Sequence, residues 1–314
     1  RGVFGGGEVP GSPGVTDTID YVEFASNGNA VDFGNLSQAR RKPASVSSST
    51  RGVFCAGATP GATDVLDFIT ILSTGNAADF GDMSTNVSQC YGGGNDTRGL
   101  FAGGYNNVNR IEYITIASAG NVTDFGDLQT GKFDHAGFAS PTRTVFGGGK
   151  TGTSTSLNSI EFVTTSTTGN ASDFGDTSNG VLRGPCGCSS STRGVYGSGY
   201  SPNATAALFY ITIASKGNGT PFGELTSTKA EVVGSTSNSI RGVWAGGQPG
   251  PKNDIDYITI ATEGDAADFG DLTRTSNSGA PLSSATRALY GGGYYPSNNR
   301  TNIIDYFTIA STGN

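Results

Sequence analysis

The sequence predicts an all-β protein, and three observations lead to that prediction. Glycine accounts for 50 of the 314 residues and only 14% of residues are charged, which is a composition rich in turns. Apolar and aromatic residues are spread along the chain in short runs, as expected of many short strands. No segment sustains the 3.6-residue apolar period of an amphipathic helix, so we expect almost no helix.

A repeat of 45 to 50 residues organises the whole chain. Repeats of this length made of short strands are typical of β-propellers, in which each repeat folds into one four-stranded blade. We therefore predict one propeller domain over residues 1–314 with seven blades, the alternative being six full blades with irregular ends. The copies begin at Arg1, Arg51, Arg98, Arg143, Arg193, Arg241 and Arg287.

Four strands fit each repeat, and we label them a to d. Strand a is a Ser-rich segment, strand b reads G-V-F-x-G, strand c reads I-D-Y-I-T-I-A, and strand d surrounds D-F-G-D-L. Strand c is largely apolar on both faces, which suits a blade packed between two others. The first repeat lacks strand a and the seventh lacks strand d, so we expect an incomplete last blade and a chain that is part of a longer one.

The repeats resemble kelch repeats over the whole chain. Kelch blades carry a Gly-Gly pair after strand b, a Tyr in strand c and an aromatic residue in strand d. Gly103-Gly104, Tyr113 and Phe125 take those places in one repeat, although Phe stands where kelch repeats usually have Trp. The near-identical I-E-Y-I-T-I-A-S units further resemble repeats in virion proteins of tailed marine phages. The resemblance implies a kelch-like propeller of a virion.

The Asp-Phe-Gly triplet matches the magnesium-binding signature of protein kinases, but it occurs five times and therefore marks a structural element. We expect its Phe to pack between blades and its Asp to bond backbone amides or the Arg of the repeat. Arg–Asp pairing is favoured over anion binding by these Arg residues. The residues given structural roles are Phe80, Phe125, Phe174, Phe269, Asp79, Asp124, Asp173, Asp268, Arg51, Arg98, Arg143, Arg193, Arg241 and Arg287.

The composition also limits the partners and cofactors. The net charge of −7 with scattered basic residues predicts no nucleic-acid partner, and the absence of an apolar run of about 18 residues predicts no membrane insertion. The four cysteines suit small buried thiols, and a single His gives no metal site. We predict no cofactor; Asp-bearing loops offer oxygen ligands for Ca²⁺, but no calcium-loop signature is present.

The variable loops are the candidate binding site. Because propeller strands alternate in direction, the uniform a–b and c–d turns lie on one side, and the variable b–c and d–a loops lie on the other. Loops on a rigid scaffold often carry recognition, and Tyr and Asn side chains can stack on sugars and hydrogen-bond to them. The alternative is loops that vary without a binding role. The candidate ligand-binding residues are Tyr105, Asn106, Asn107, Tyr200, Tyr294, Tyr295, Asn298 and Asn299.

The favoured function is non-enzymatic. One His cannot supply the His pair of kelch-type copper oxidases, and the recurrent carboxylates occupy equivalent scaffold positions. We expect a phage tail fibre or decoration protein, exposed on the virion surface or extracellular, whose loops bind a host-surface glycan or protein or a neighbouring virion subunit. A homo-oligomer is compatible with this. A secreted microbial adhesin or matrix propeller is the first alternative, and a carbohydrate-active enzyme is a less favoured one.

Overall fold

The structure is a computed structural model, and it describes residues 1–11, 14–152, 155–178, 182–200, 203–230, 235–250, 252–295 and 299–313. Over these residues the chain forms strands, turns and bends, with no helix. The same part of the chain therefore offers no helix long and apolar enough to cross a membrane. The all-β prediction is confirmed.

The strands form seven antiparallel sheets, one for each repeat. The first three sheets consist of β1 (Gly2–Glu8), β2 (Val15–Val22) and β3 (Val31–Asn35); of β4 (Ala44–Ser47), β5 (Arg51–Cys55), β6 (Ala58–Thr59), β7 (Gly61–Thr70) and β8 (Ala78–Val87); and of β9 (Tyr91–Gly94), β10 (Arg98–Ala102), β11 (Arg110–Thr115) and β12 (Thr123–Asp127).

The remaining sheets follow the same order of neighbours, a-b-c-d. They consist of β13 (Ala136–Ala139), β14 (Arg143–Gly147), β17 (Ser159–Thr164) and β18 (Ser172–Asp176); of β19 (Cys186–Ser189), β20 (Arg193–Gly197), β21 (Thr205–Thr212) and β22 (Thr220–Lys229); of β23 (Ser235–Ser237), β24 (Arg241–Ala245), β25 (Lys252–Thr259) and β26 (Ala267–Ser276); and of β27 (Ala280–Ser283), β28 (Arg287–Gly291) and β31 (Ile304–Thr308). Two short hairpins lie in b–c loops: β15 (Lys150–Thr151) with β16 (Thr155–Ser156), and β29 (Tyr294–Tyr295) with β30 (Asn299–Arg300).

This arrangement is that of a seven-bladed β-propeller, so the predicted fold class and the count of seven are confirmed. Strands b, c and d make up the first sheet, and strands a, b and c make up the seventh. The chain divides into two compact units, which are 1–133 with 141–144 and 162–172, and 134–140 with 145–161 and 173–314. The first unit contains sheets one to three, and the second contains sheets five to seven.

Strands b and c carry the core of each blade. In the third sheet β10 pairs with β11, and Leu100 lies opposite Tyr113. Leu100, Phe101 and Ile111 are buried, because large apolar side chains pack well on a pleated surface that is covered on both faces. The conserved spacing of these residues in each repeat therefore reproduces the same apolar layer.

The Asp-Phe-Gly triplet forms a β-bulge in strand d. In the third sheet Ile111 faces Gly126 while Glu112 faces Asp124, so Phe125 is the extra residue. The same register shift occurs in the first, second, fifth and sixth sheets. The Phe125 side chain is buried, with its ring edge-on to Tyr113 at 5.9 Å between centroids. The bulge therefore turns the Phe into the core.

The Asp of the triplet bonds within its own bulge. The Gly81 amide donates to Asp79 Oδ1 at 3.1 Å, and the Gly270 amide donates to Asp268 Oδ1 at 3.1 Å. The glycine adopts a φ of +143° at Gly81 and +141° at Gly270, a conformation that residues with a Cβ rarely adopt. A carboxylate that accepts a hydrogen bond from this amide stabilises the bulge.

Each bulge is bound by the c–d turn of the following repeat, and we call this contact the clasp. Between the second and third repeats, the Gly120 amide donates to Phe80 O at 2.6 Å and the Val122 amide donates to Asp82 O at 3.0 Å. The Asp82 amide donates to Asn121 Oδ1 at 3.1 Å. Clasps with the same three bonds are centred on Asn76, Asn121, Asn170, Asn218 and Asp265.

Close contact with the turn backbone explains why the bulge half of the clasp contains a glycine. A Cβ built on Gly81 would lie 2.5 Å from the carbonyl carbon and oxygen of Gly120, and one on Gly126 would lie 2.5 Å from those of Gly169. Backbone atoms cannot yield to such a contact. The bulge side of the clasp therefore has no room for a side chain. A Cβ on Gly120 in the turn would meet nothing within 4 Å, and there the φ of +156° favours glycine instead.

The recurrent Arg residues stack on aromatic rings, which corrects the expected Arg–Asp pairing. The guanidinium of Arg98 lies 4.3 Å from the Tyr113 ring centroid, and its Nη1 donates to Thr165 O in the next repeat at 3.1 Å. Arg51 stacks in the same way on Phe68, and Arg241 on Tyr257. Pairing with Asp fails because the Asp bonds its own bulge and the strand-c ring lies directly under the Arg. The same stacking is found at Arg1, Arg143, Arg193 and Arg287.

Replacing Gly81 by Ala should lower the free energy of unfolding by about 3 kcal/mol, because Ala is strained at this φ and its Cβ meets the Gly120 backbone. The matched control is Gly61→Ala, where a Cβ meets nothing within 4 Å, and a change within about 0.5 kcal/mol is expected. Urea unfolding of both variants measures the difference. Equal stabilities would contradict the clasp geometry.

Candidate binding surface

The b–c loops are attached by backbone hydrogen bonds to the d–a connection that precedes them. The Tyr200 and Arg183 amides donate to each other's carbonyl oxygens at 2.9 and 3.0 Å. Gln248 makes the same pair of bonds with Ala230, and Tyr294 makes it with Asn277. The b–c loops with these connections are called the loop surface of each unit. The sequence prediction that these two sets of loops lie together is confirmed by these bonds.

The Gly-Gly pair after strand b allows this attachment. Gly103 and Gly104 have φ values of +66° and +137°, and the Tyr105 amide that follows donates to Ser88 O in the preceding d–a connection at 2.8 Å. Positive φ at two successive residues turns the chain out of strand b at little cost only for glycine. The residue after the pair is thereby placed against the neighbouring connection, whatever its side chain.

The third repeat presents Tyr105, Asn106 and Asn107 on the loop surface of the first unit. The Tyr105 side chain is 51% exposed, and its ring packs edge-on against Phe133 at 5.2 Å between centroids. Asn106 and Asn107 are exposed and have φ values of +71° and +61°. This loop offers an open aromatic face beside two amides, as the sequence analysis expected of a sugar-binding loop.

The tyrosines of the second unit are half-buried and covered by guanidinium groups. Arg183 lies 4.7 Å from the Tyr200 ring centroid, and Arg274 lies 4.9 Å from that of Tyr295. Arg300 lies 5.4 Å from the Tyr294 ring centroid. An arginine covers one face of each of these rings. The surface here therefore shows guanidinium groups rather than open aromatic rings.

The predicted residues do not form one cluster within a repeat. Tyr105, Asn106 and Asn107 belong to the third repeat, Tyr200 to the fifth, and Tyr294, Tyr295 and Asn299 to the seventh. Asn299 is exposed and lies opposite Tyr295 in the β29–β30 hairpin. Asn298 lies outside the described residues.

Buried ion pairs next to these loops were missed by the sequence analysis. Lys229 Nζ lies 2.8 Å from Asp256 Oδ2 and 3.0 Å from Asp254 Oδ2, and the Lys229 and Asp256 side chains are 0% exposed. Arg40 Nη2 lies 2.8 Å from Asp67 Oδ2, again with both side chains fully buried. Arg40 comes from a d–a connection and Lys229 is the last residue of strand d (β22). In both cases the carboxylate comes from strand c of the next repeat.

A spacing signal could have identified these cations. Arg40, Lys132 and Lys229 each stand six residues after the bulge glycine, in the first, third and fifth repeats, and all three are buried. The second and sixth repeats carry Val87 and Ser276 at that position. A cation at one fixed position in alternate repeats indicates a structural partner.

Electrostatics at the Lys229 pair stabilise the folded state near neutral pH. Burial alone would raise the pKa of Asp254, but the charge of Lys229 and hydrogen bonds from Lys229 and Ser227 outweigh it and lower the pKa. A carboxyl with a lowered pKa stabilises the fold above its ordinary pKa, and this contribution is lost as the pH falls through the lowered value.

Burial makes two of the four thiols poor nucleophiles. Cys55 and Cys188 are free and buried, and burial raises the pKa of both thiols. A thiol with a raised pKa is a poor nucleophile. Among the residues that the structure describes, no three His, Cys, Asp or Glu side chains are grouped to hold a metal ion.

Comparisons with known proteins give the fold alone. No protein family model matches the chain, and no curated protein matches it significantly. A solved structure described as "Structure of YjhT" is similar with a TM-score of 0.67 and 11% sequence identity. The match covers 86% of this chain and 95% of that one.

Removing the cation of the buried Lys229–Asp256 pair should destabilise the folded state. Lys229→Met leaves Asp256 buried without its partner, and the free energy of unfolding should fall by about 3–5 kcal/mol. The double variant Lys229→Met, Asp256→Leu should recover most of the loss, because a paired apolar replacement leaves no buried charge. Lys42→Met, at an exposed lysine, is the control in urea unfolding. A single variant as stable as this control would refute the role of the pair.

Proposed function

We propose that this chain is a non-enzymatic binding propeller of a tailed-phage virion, in a tail fibre or decoration protein, and that its loop surface recognises a host-surface glycan. The kelch-like repeats and their likeness to phage virion repeats support the virion setting. One observation supports the binding role. The clasps repeat the same residues and bonds from one repeat to the next, whereas the loops on the same scaffold vary in sequence.

The turns that form the clasps cannot vary enough in sequence to recognise different ligands. They repeat the Gly and Asn that bind the preceding bulge, and the recurrent Arg residues stack on strand-c rings. Substitutions there would loosen the contact between blades. The loop surface has no such restriction, because its attachment uses backbone atoms and leaves the side chains to vary.

The Tyr105 loop is the best-formed sugar-binding element in the first unit. An exposed aromatic ring supplies the apolar face that packs on a pyranose, and neighbouring amides supply donors and acceptors for hydroxyl groups. The edge contact with Phe133 holds the Tyr105 ring in place. Little side-chain entropy is then lost on binding.

The test is binding to an array of bacterial surface polysaccharides by the protein and two loop variants. Tyr105→Ala should weaken binding about tenfold, as expected for an aromatic anchor. Asn106→Gly with Asn107→Gly keeps the positive φ values while removing both amides, and should weaken binding in the same direction. Leu72→Ala is the control, because Leu72 is 71% exposed in a c–d turn.

Adsorption to host cells provides the second measurement. Wild-type protein should compete with phage for adsorption, and Tyr105→Ala should compete less well than Leu72→Ala. Binding that is the same in all variants would refute the role of this loop. Tail or capsid genes beside the coding sequence would support the virion setting over a secreted adhesin.

A further inference from the structure

We propose that Cys55 and Cys90 form a disulfide between the second and third repeats when the protein meets a small-molecule disulfide. The pair lies within the first unit, beside the connection that holds the Tyr105 loop. This inference concerns a covalent modification of the scaffold, so it goes beyond the proposed function and does not depend on it. Both thiols are free in the structure.

Cys55 departs from the pattern of the repeats. It is the last residue of strand b (β5) in the second sheet, and its side chain is fully buried. The corresponding position holds Gly or Ala in every other repeat, at Gly5, Ala102, Gly147, Gly197, Ala245 and Gly291. The fold therefore accepts a smaller side chain without sulfur at this position, and packing alone does not require a Cys.

Cys90 departs from the pattern in the following repeat. It stands immediately before strand a (β9) of the third sheet and is half-buried. The residue before strand a is never Cys in the second, fourth, fifth and seventh sheets, where it is Pro43, His135, Pro185 and Gly279. Two exceptional residues of the same type in neighbouring repeats indicate a shared role if they also meet in space.

Backbone bonds bring the two cysteines together. The Gly57 amide, two residues after Cys55, donates to the oxygen of Val87, three residues before Cys90, at 3.1 Å. Both cysteines belong to one apolar cluster, which also contains Met83 and Val87. The Cys55 Sγ lies 3.3 Å from Met83 Sδ and is within hydrogen-bonding reach of the Cys90 thiol. Such proximity is the condition for forming a disulfide without a large movement of the backbone.

The exposure of the two thiols sets the order of the exchange. Cys90 is half-buried, so its thiolate can attack one sulfur of a small disulfide such as oxidised glutathione. An S–S bond to Cys90 forms, the S–S bond of glutathione breaks, and one glutathione thiolate leaves and takes up a proton. Cys55 is fully buried and therefore does not react first.

The second step is intramolecular and gains from proximity. Cys55 loses its proton and attacks the Cys90 sulfur of the mixed disulfide, and the second glutathione leaves as a thiolate that takes up a proton. Two protein thiols are thereby oxidised to one disulfide, and one molecule of oxidised glutathione is reduced to two thiols. No other co-reactant is needed.

The cross-link joins the scaffold next to the candidate binding loop. The connection that ends at Cys90 also holds that loop, because the Tyr105 amide donates to Ser88 O at 2.8 Å. A Cβ on Gly104 would lie 3.8 Å from Cys90 Cβ, so the base of the loop packs on this cysteine. A disulfide that closes residues 55–90 into a loop restricts the unfolded chain and stabilises the fold.

The experiment treats the reduced full chain with oxidised glutathione, quenches the exchange with acid and maps the cysteines by mass spectrometry. The product should be about 2 Da lighter than the reduced protein because two hydrogens are lost, and a peptide pair should join Cys55 to Cys90. The Tm should rise by about 5 °C, as expected for a disulfide that closes a loop of this size. Added reductant should reverse both changes.

Two single variants separate this pair from the other thiols. Cys90→Ser removes the thiol that reacts first, so neither the lighter mass nor the rise in Tm should appear. Cys186→Ser removes the other half-buried thiol and should leave both changes intact.

The peptide map of the wild-type protein decides the inference even if a variant fails to fold. Four thiols that all stay reduced, a glutathione adduct on Cys90 that never resolves into the cross-link, or a Cys90 bonded to another cysteine overturns it. A Tm that stays the same or falls when the cross-link forms also overturns it.

Discussion

The clasp between one repeat's β-bulge and the next repeat's c–d turn is the contact on which the rest of the structure depends. It joins the outermost strand of one blade to a turn of the following blade by three hydrogen bonds, all of them at 2.6 to 3.1 Å between the second and third repeats. The bulge makes this possible, because the extra residue turns the Phe80 side chain inward and its carbonyl outward. Sequential blades are therefore joined by two backbone bonds and one bond to the Asn121 side chain.

The clasp and the attachment of the b–c loops place different requirements on the sequence. The clasp needs a glycine in the bulge for lack of space, a glycine in the turn for its positive φ, and an acceptor at the Asn position. The last requirement explains why Asp265 can replace Asn there. The bridge between a b–c loop and its d–a connection needs only an amide and a carbonyl, so Tyr200, Gln248 and Tyr294 all make it. Uniform turns and variable loops are consequences of these different requirements.

The sequence predicted the strands and the burial of the motif phenylalanines because repetition reveals which positions the fold constrains. It predicted the backbone-amide bond of the motif Asp, but not the partners of the Arg and Lys side chains. Arg98 was expected to meet an Asp, but its guanidinium stacks on the Tyr113 ring. Only the pairing of strands b and c shows which ring lies within its reach. The buried Lys229–Asp256 pair joins two repeats, so neither residue is informative within its own repeat. The coverage of Tyr200 and Tyr295 by arginines depends on connections that vary in sequence.

Amide hydrogen exchange at the turn glycines tests the central claim most directly. Gly75, Gly120 and Gly264 lie in exposed turns, yet their amides donate to Phe33, Phe80 and Phe222 carbonyls. Gly28 occupies the corresponding turn of the first repeat and is also exposed, and its amide has no clasp acceptor among the described residues. If the clasps join the blades, the first three amides should exchange about a thousandfold or more slowly than that of Gly28. Exchange at the same rate in all four turns would contradict the clasp as the contact that holds the blades together.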